Sequence, residues 1–328
     1  MNKKKLKANK MLRLSAQSER IRFPTPALII AEAVGYNFDK TMKITYILFV
    51  LAVFGCSENQ NDFEKYSELE QKAMLEFKDK KYDKALSNFQ KAIDLKPKED
   101  VSIYFYAAAS ALNVGNMDKA KELLTESIHN TNASKDYFLN FNEFDSFRKE
   151  KLFSEIENNY EKHITEFCKK LEHPKIYREV DSLIKLDQEI RNNGIDTKEM
   201  ARIDSSNIKR LIKITKEYGW QNKGWLVLWH QRETYEQDNY IWNFFKPYID
   251  KQIKKGNIKK SFWTIFEEEK SILKNKEQIY GLYLNQLEQF PIRDIENIDK
   301  RRAQNGLPPL WYLEKVYGVE LPTEYKKL

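Results

Sequence analysis

Cysteine, histidine, proline and glycine are all scarce here, with 2, 4, 9 and 10 copies in 328 residues. Two cysteines cannot frame a disulfide scaffold. None of the spacings C-x-x-C, H-E-x-x-H, G-x-G-x-x-G, G-x-x-x-x-G-K-[ST] or G-x-S-x-G occurs. No metal, nucleotide or nucleophile-elbow signature is therefore present, and no cofactor is expected. Few helix breakers against abundant Lys, Glu, Leu and Ile favour helices over a strand-rich sandwich. A bilayer-spanning run is missing as well: residues 44–55 give only 12 apolar or near-apolar positions, where a spanning helix needs about 20.

Excess charge is also absent from the body of the chain. The formal net of +7 gathers at one end, where residues 1–41 carry nine Lys/Arg against Glu19, Glu32 and Asp39, and Lys43 adds one more. From Cys56 onward 46 basic residues balance 46 acidic ones. A nucleic-acid binder needs surplus cations to neutralise phosphates, so nucleic acid is not an expected partner. The 41% hydrophobic and 13% aromatic content can build a sizeable core. A charged fraction of 32% and a mean hydropathy of −0.71 describe a soluble body, and the length leaves room for about two domains.

What is present starts with Met42-Lys-Ile-Thr-Tyr-Ile-Leu-Phe-Val-Leu-Ala-Val-Phe-Gly-Cys56: a Met, one Lys, an apolar run, a small residue and a Cys. Its length suits the apolar region of a signal peptide. Val53-Phe54-Gly55-Cys56 resembles the lipobox of bacterial lipoproteins, where cleavage leaves a Cys carrying diacylglycerol. The resemblance implies cleavage after Gly55, lipidation of Cys56 and anchoring in the bacterial cell envelope, which two or more acyl chains make stable. Residues 57–62, Ser-Glu-Asn-Gln-Asn-Asp, then read as a polar tether; lacking Asp at 57, the chain resembles lipoproteins sorted to the outer membrane. Residues 1–41 read as an extension upstream of a working start at Met42. The competing reading of 43–55 is a buried helix. With Cys56 acylated, Cys168 is alone, a core or surface thiol rather than a nucleophile.

From Tyr66 the chain repeats at a period near 34 residues. Ala85, Phe89, Ala92 and Pro97 are followed thirty-five residues on by Ala120, Leu124 and Ser127. Ala73 and Phe77, then Tyr104, Ala108 and Ala111, hold the packing positions of the preceding helices. This pattern over 66–133 resembles the tetratricopeptide repeat, in which small residues let paired helices approach. The resemblance implies a concave groove that binds a protein or peptide; a purely structural spacer is the other reading. Ala85, Phe89 and Ala92 form one apolar stripe, Pro97 stops the second helix and Gly115-Asn116 makes the next turn. Two repeats bury too little alone. Residues 134–173 are expected to cap them, with Tyr137, Phe138, Phe141, Phe144, Phe147, Leu152, Phe153, Ile156 and Tyr160 as core rather than a ligand box.

Past His173-Pro174 a second, helical domain is expected over 174–318, with a tail at 319–328. Helices are read at 176–190, 204–218, 225–235, 240–255 (bent at Pro247) and 258–275, then a short β-hairpin over 278–292 and two last helices around Gly306-Leu-Pro-Pro309. Asp187-Gln188-x-x-Arg191, Asp204-x-x-Asn207, Trp229-His230, Gln278-x-Tyr280-Gly281, Pro291-Ile-Arg-Asp294 and Ile298-Asp299-x-Arg301-Arg302-x-x-x-Gly306-Leu-Pro-Pro-Leu310 together resemble an uncharacterised bacterial domain family. That resemblance implies no activity. The chain departs from the family pattern at Leu282-Tyr283, where Thr-Gln is usual, and at Glu269-Lys270, where Asp-Arg is usual.

Each polar candidate has two readings. His230 serves either as general acid/base or as a structural histidine beside Trp229. Arg301 and Arg302 either grip an anion or pair locally, Arg302 with Asp299 at i, i+3. Asp294 reads as the N-cap of a helix over 296–305. Gln278 and Tyr280 either face a ligand or satisfy a bulge. The run Glu267-Glu268-Glu269 reads as a solvated helix face rather than a metal site.

The fold expected is mainly α: a tetratricopeptide-type array followed by a helical domain. The function expected is a lipid-anchored envelope protein that binds a protein or peptide partner. The alternatives are a hydrolase-like enzyme, or a small-ligand or glycan binder using Trp225, Trp229 and Tyr280, with a site around His230, Gln278 and Arg301/Arg302, where Asp187 and Arg191 are further candidates.

Overall fold

A computed structural model describes residues 57–95, 100–192 and 197–327. Gly55, Cys56 and Pro97 lie outside the described residues. Among those described, every regular element is helical, and no helix is long and apolar enough to cross a membrane.

The first four helices are α1 (Ser57–Lys78), α2 (Tyr82–Leu95), α3 (Val101–Asn113) and α4 (Met117–Thr131). Each packs on the one before it. Close approach comes from alanine: Ala73, Ala85, Ala92, Ala108 and Ala120 have no exposed surface. Phe77, Phe89, Tyr104 and Leu124 fill the space between them. The turns are built locally. Gly115 takes φ +77, a left-handed conformation that glycine adopts without strain. Asn116 then caps α4 by accepting from Lys119 N at 3.0 Å. Asp100 caps α3 by accepting from Ser102 N and Ser102 Oγ at 3.1 and 2.6 Å.

Helix α3 is buried at ten consecutive positions, Ile103–Leu112. A helix apolar all round has to be covered on every side. Part of the cover is the aromatic segment formed by α5 (Lys135–Leu139), a 3-10 turn (Asn142–Phe147) and α6 (Lys151–Asn158). There Phe105 meets Tyr137, Phe141 and Phe144 at ring separations of 5.0, 5.3 and 5.4 Å. Arg148 clamps this segment, donating to Phe138 O and Phe141 O at 2.9 and 3.0 Å. Its guanidinium lies over the rings of Phe144 and Phe153 at 5.5 and 5.3 Å.

The core itself is completed from far along the chain. Ile298, Leu310, Tyr312, Leu313 and Val316, on α13 (Ile298–Gln304) and α14 (Leu310–Tyr317), share one core with α1–α6. Helix α14 packs on α1, and Lys315 pairs with Asp79 at 2.7 Å. The segment expected as a tail docks too: Val319, Leu321 and Tyr325 pack on this core, and Lys327 lies 4.3 Å from the centre of the Trp311 ring.

A second core lies between. It is made by α8 (Pro174–Asn192), α9 (Thr197–Tyr218), α10 (Trp225–Trp229), α11 (Tyr240–Lys254) and α12 (Thr264–Asn275) around Leu211, Leu228, Trp242, Phe245 and Phe266. Helix α7 (Tyr160–Lys169) packs on α4. The units are tied by Lys259 and Asp100, 3.3 Å apart, with Tyr66 donating to the same carboxylate at 3.0 Å. Lys259 and Tyr66 hold that carboxyl well below the usual carboxylate range despite its burial.

Three expectations are corrected. The helix read at 225–235 stops at Trp229 and gives way to a 3-10 turn at Arg232–Thr234, after which Glu236 takes φ +60. The helix read from 258 begins at Thr264, behind a 3-10 turn at Lys260–Trp263. The hairpin over 278–292 does not form: the segment makes one isolated parallel bridge, Gln278 to Ile292. The backbone N–H groups of 279, 280 and 282, which a ladder would need, are spent on the side chain of Glu268.

Leu310→Ala tests the shared core. It is expected to lower unfolding free energy by about 2–5 kcal/mol in urea titration. A loss below about 1 kcal/mol would mean that α14 rests on the first core without completing it.

Candidate functional site

The polar residues singled out in the sequence separate into two networks. The first lies among α8, α9 and α10. Asp187, 1% exposed, accepts from Arg191 Nη1 at 2.8 Å and Gln188 Nε2 at 2.7 Å. Arg191 reaches on to both carboxylate oxygens of Asp204 at 2.8 and 2.9 Å. His230 Nε2 lies 3.0 Å from Asp187 Oδ2, yet without the alignment of a hydrogen bond. The arrangement is one cation between two carboxylates with an imidazole alongside. Asp204 was legible as part of a motif but not as the second carboxylate of Arg191.

The second network is centred on Glu268, which has no exposed surface. Its carboxylate accepts from Ile279 N, Tyr280 N and Leu282 N, the last two at 2.9 Å. Burial pushes the Glu268 carboxyl up, opposed by those three donors and by the Arg302 charge. Arg302, equally buried, donates to Tyr280 O and Pro308 O at 2.5 and 2.6 Å. Its Nη2 meets no partner among the described residues, and burial pushes its pKa down to about 10. Gln278 spends its whole side chain on the same loop, donating to Tyr283 O and Phe290 O at 3.1 and 2.7 Å and accepting from Tyr283 N at 2.8 Å.

Several candidate roles are thereby corrected. Asp299 does not pair with Arg302; it accepts from Leu310 N at 2.8 Å and from Tyr325 OH at 2.5 Å. Arg301 pairs within the chain, with Asp294. It donates to Ile279 O, Asp294 O and Asp294 Oδ2 at 3.1, 2.8 and 2.9 Å, and also to Arg293 O. Asp294 does not cap the helix itself: it sits at φ 45 at the head of a 3-10 turn, Ile295–Asn297, and its side chain makes no capping hydrogen bond. Tyr280 is 7% exposed and donates to Glu267 at 2.5 Å. Trp229 packs edge-on to Phe266 at 5.4 Å, with Arg232 4.7 Å from its centroid.

The run Glu267-Glu268-Glu269 is not a solvated face. Each carboxylate has its own partner: Tyr280 for Glu267, the loop for Glu268, and both Arg232 and Tyr283 for Glu269 at 3.1 and 3.0 Å. Thr264, Glu268, Ser271 and Ile272 are buried together on α12, at i, i+4, i+7 and i+8. That spacing places Glu268 on the core stripe and could have identified it.

Outside both networks, His129 on α4 and His163 on α7 face each other, Nε2 to Nδ1 at 2.9 Å. Burial pulls both imidazole pKa values down; the charge of His163 and Lys170 adds to this at His129, and that of Lys162 and Lys121 at His163. Two shallow surface depressions complete the picture. One, of about 440 Å³, is lined by Glu236, Gln237, Asp238, Trp242, Asn243 and Lys246. The other, of about 280 Å³, opens beside His163. Among the described residues no three His, Cys, Asp or Glu side chains gather to hold a metal ion.

No protein-family model, curated protein or solved structure matches the chain.

Two outcomes are expected. Glu268→Ala leaves three buried N–H groups and a buried guanidinium without their acceptor charge, so it should cost about 3–5 kcal/mol by calorimetry or denaturant. For the histidine pair the folded-state values lie below the unfolded value of about 6.5, so the unfolded chain takes up more protons. Its contribution is complete above about pH 6.5 and is lost as pH falls through the depressed values. The melting temperature should therefore fall on acidification through that window, and less steeply in His129→Gln/His163→Gln. Equal slopes would remove the pair from the account.

Proposed function

We propose that the chain is a lipid-anchored, tetratricopeptide-type interaction protein of the bacterial cell envelope rather than an enzyme. Its second unit is grouped with the uncharacterised bacterial family that its motifs resemble. One observation carries this reading: Gln278, Tyr280, Asp294, Asp299 and Arg301 spend their side-chain groups on the chain's own backbone and side chains, and Arg302 does so with all but its buried Nη2. Residues so committed hold a scaffold and have little left to offer a substrate. The two departures from the family pattern also meet, since Tyr283 OH donates to Glu269 at 3.0 Å.

Because α3 is covered on all sides, the partner is assigned to the outer faces of α2 and α4, where Asp83, Lys84, Lys91, Asp118, Lys121 and Glu122 are exposed. A hydrolytic reading keeps one observation, the closeness of His230 to Asp187.

Acyl labelling of cells expressing the protein should mark the wild type and not Cys56→Ala. Cross-linking of the labelled envelope fraction should then join residues on α2 and α4 to one recurrent protein, with joins lost on charge reversal at Lys84 and Lys91. His230→Gln should leave those joins intact. Turnover of an ester or amide substrate by the purified protein, abolished in His230→Gln without loss of melting temperature, would replace the interaction reading with the hydrolytic one.

A further inference from the structure

The groove of about 280 Å³ between α4, α6 and α7 is lined by Lys121, Thr125, Glu155, Asn159, Lys162 and His163. Lys121 and Lys151 both pair with Glu155, at 2.5 and 3.1 Å. The one carboxylate in the lining is thus neutralised twice, and Lys162 is left in surplus. Lys170, after α7, is bonded to Asn130 at 3.0 Å and adds positive potential at His129. Glu166, the remaining acid facing His129, is itself paired with Lys169 at 2.7 Å. Cationic charge therefore predominates around the groove without being fully compensated.

The histidine pair gives that charge a chemical handle. Since Nδ1 of His163 is engaged by Nε2 of His129, the nitrogen of His163 left for a ligand is Nε2. A neutral pair holds one proton between the facing nitrogens, and Nε2 of His163 is a donor in only one of the two tautomers. One further proton makes it a donor in either. An anion in the groove would stabilise that proton, and the proton would strengthen the anion's hold, with equal coupling in both directions.

We propose that this groove binds a tetrahedral oxyanion of phosphate type, as a free ion or as a lipid headgroup, together with a proton taken up by the His129–His163 pair. Lys121 and Lys162 supply charge, Thr125 supplies a hydroxyl and His163 supplies the proton-dependent donor. Among the described residues the other candidates differ: the depression at 236–246 mixes both signs of charge, and the Asp187 network sets two carboxylates against one arginine and so carries no surplus cation.

The test is proton NMR titration of the four histidines in the Cys56→Ser chain, with His129 and His163 assigned through their Gln variants. Inorganic phosphate is the probe, and sulfate the probe whose charge stays constant near neutral pH. Saturating anion should raise the midpoint of the pair by about one pH unit, a tenfold preference of the anion for the protonated pair. His173 and His230 should stay still, and Lys162→Ala should remove the shift. Flotation with phosphatidylglycerol vesicles, against phosphatidylcholine, identifies the source. Binding to the former at about pH 6 that weakens at about pH 8, and fails in Lys162→Ala, assigns a lipid headgroup; anion-dependent shifts without flotation assign a free ion. Unmoved midpoints with no flotation, or equal shifts at all four histidines, would overturn the proposal.

Discussion

The carboxylate of Glu268 stands at the join between two cores. It lies on α12, in the second core, while the loop it holds by three backbone N–H groups leads directly into α13 and α14, which complete the first. Arg302 closes the circuit from the other side through the carbonyls of Tyr280 and Pro308. A buried charge pair of this kind stabilises little by itself, because desolvation offsets much of the attraction. Its value is positional: loop 278–283 has one arrangement in which every donor meets the acid, so α13 and α14 emerge in one direction. Completion of the first core depends on that direction, and the Asp100–Lys259 tie sets the two bodies at a second point.

The helical part of the fold was readable because it is written in period. Small and large apolar residues at i, i+4 and i+7, as in Ala85, Phe89 and Ala92, specify which faces meet, and the observed burial follows those positions. The aromatic cover at 137–160 was likewise visible as ring density. What could not be read was long-range assignment. The docking of residues 298–316 on the first core has no local signature, since those residues look like any short amphipathic helix. The hairpin was misread for a related reason. Short apolar runs around a glycine suit a strand, and only the presence of a buried acid on another helix explains why the backbone donors turn elsewhere.

The candidate site shows the same division. Residue types common in catalysis stood out in the sequence, but their use in the structure differs from the one such types first suggest. An arginine, a glutamine and a carboxylate gathered in sequence motifs can serve substrates or serve carbonyls, and only their surroundings decide. Here Arg302 and Gln278 are enclosed, so their hydrogen bonds go to the chain. Asp187 is enclosed as well, and in its network it is His230 and Arg191 that keep some access. The least conspicuous residues in the sequence, two isolated histidines thirty-four positions apart, are the ones brought face to face beside an open groove.

The sharing of one core by α1–α6 and α13–α14 also bears on how the molecule is made. About 200 residues separate Tyr104 from Leu310, so the first helices to emerge during synthesis expose an apolar side until nearly all the chain exists. Loops that long close slowly relative to the local helical pairs, and exposed apolar surface in the interval invites association. A chain built this way suits late folding, after the whole polypeptide has been released or passed across a membrane, better than folding helix by helix as it emerges.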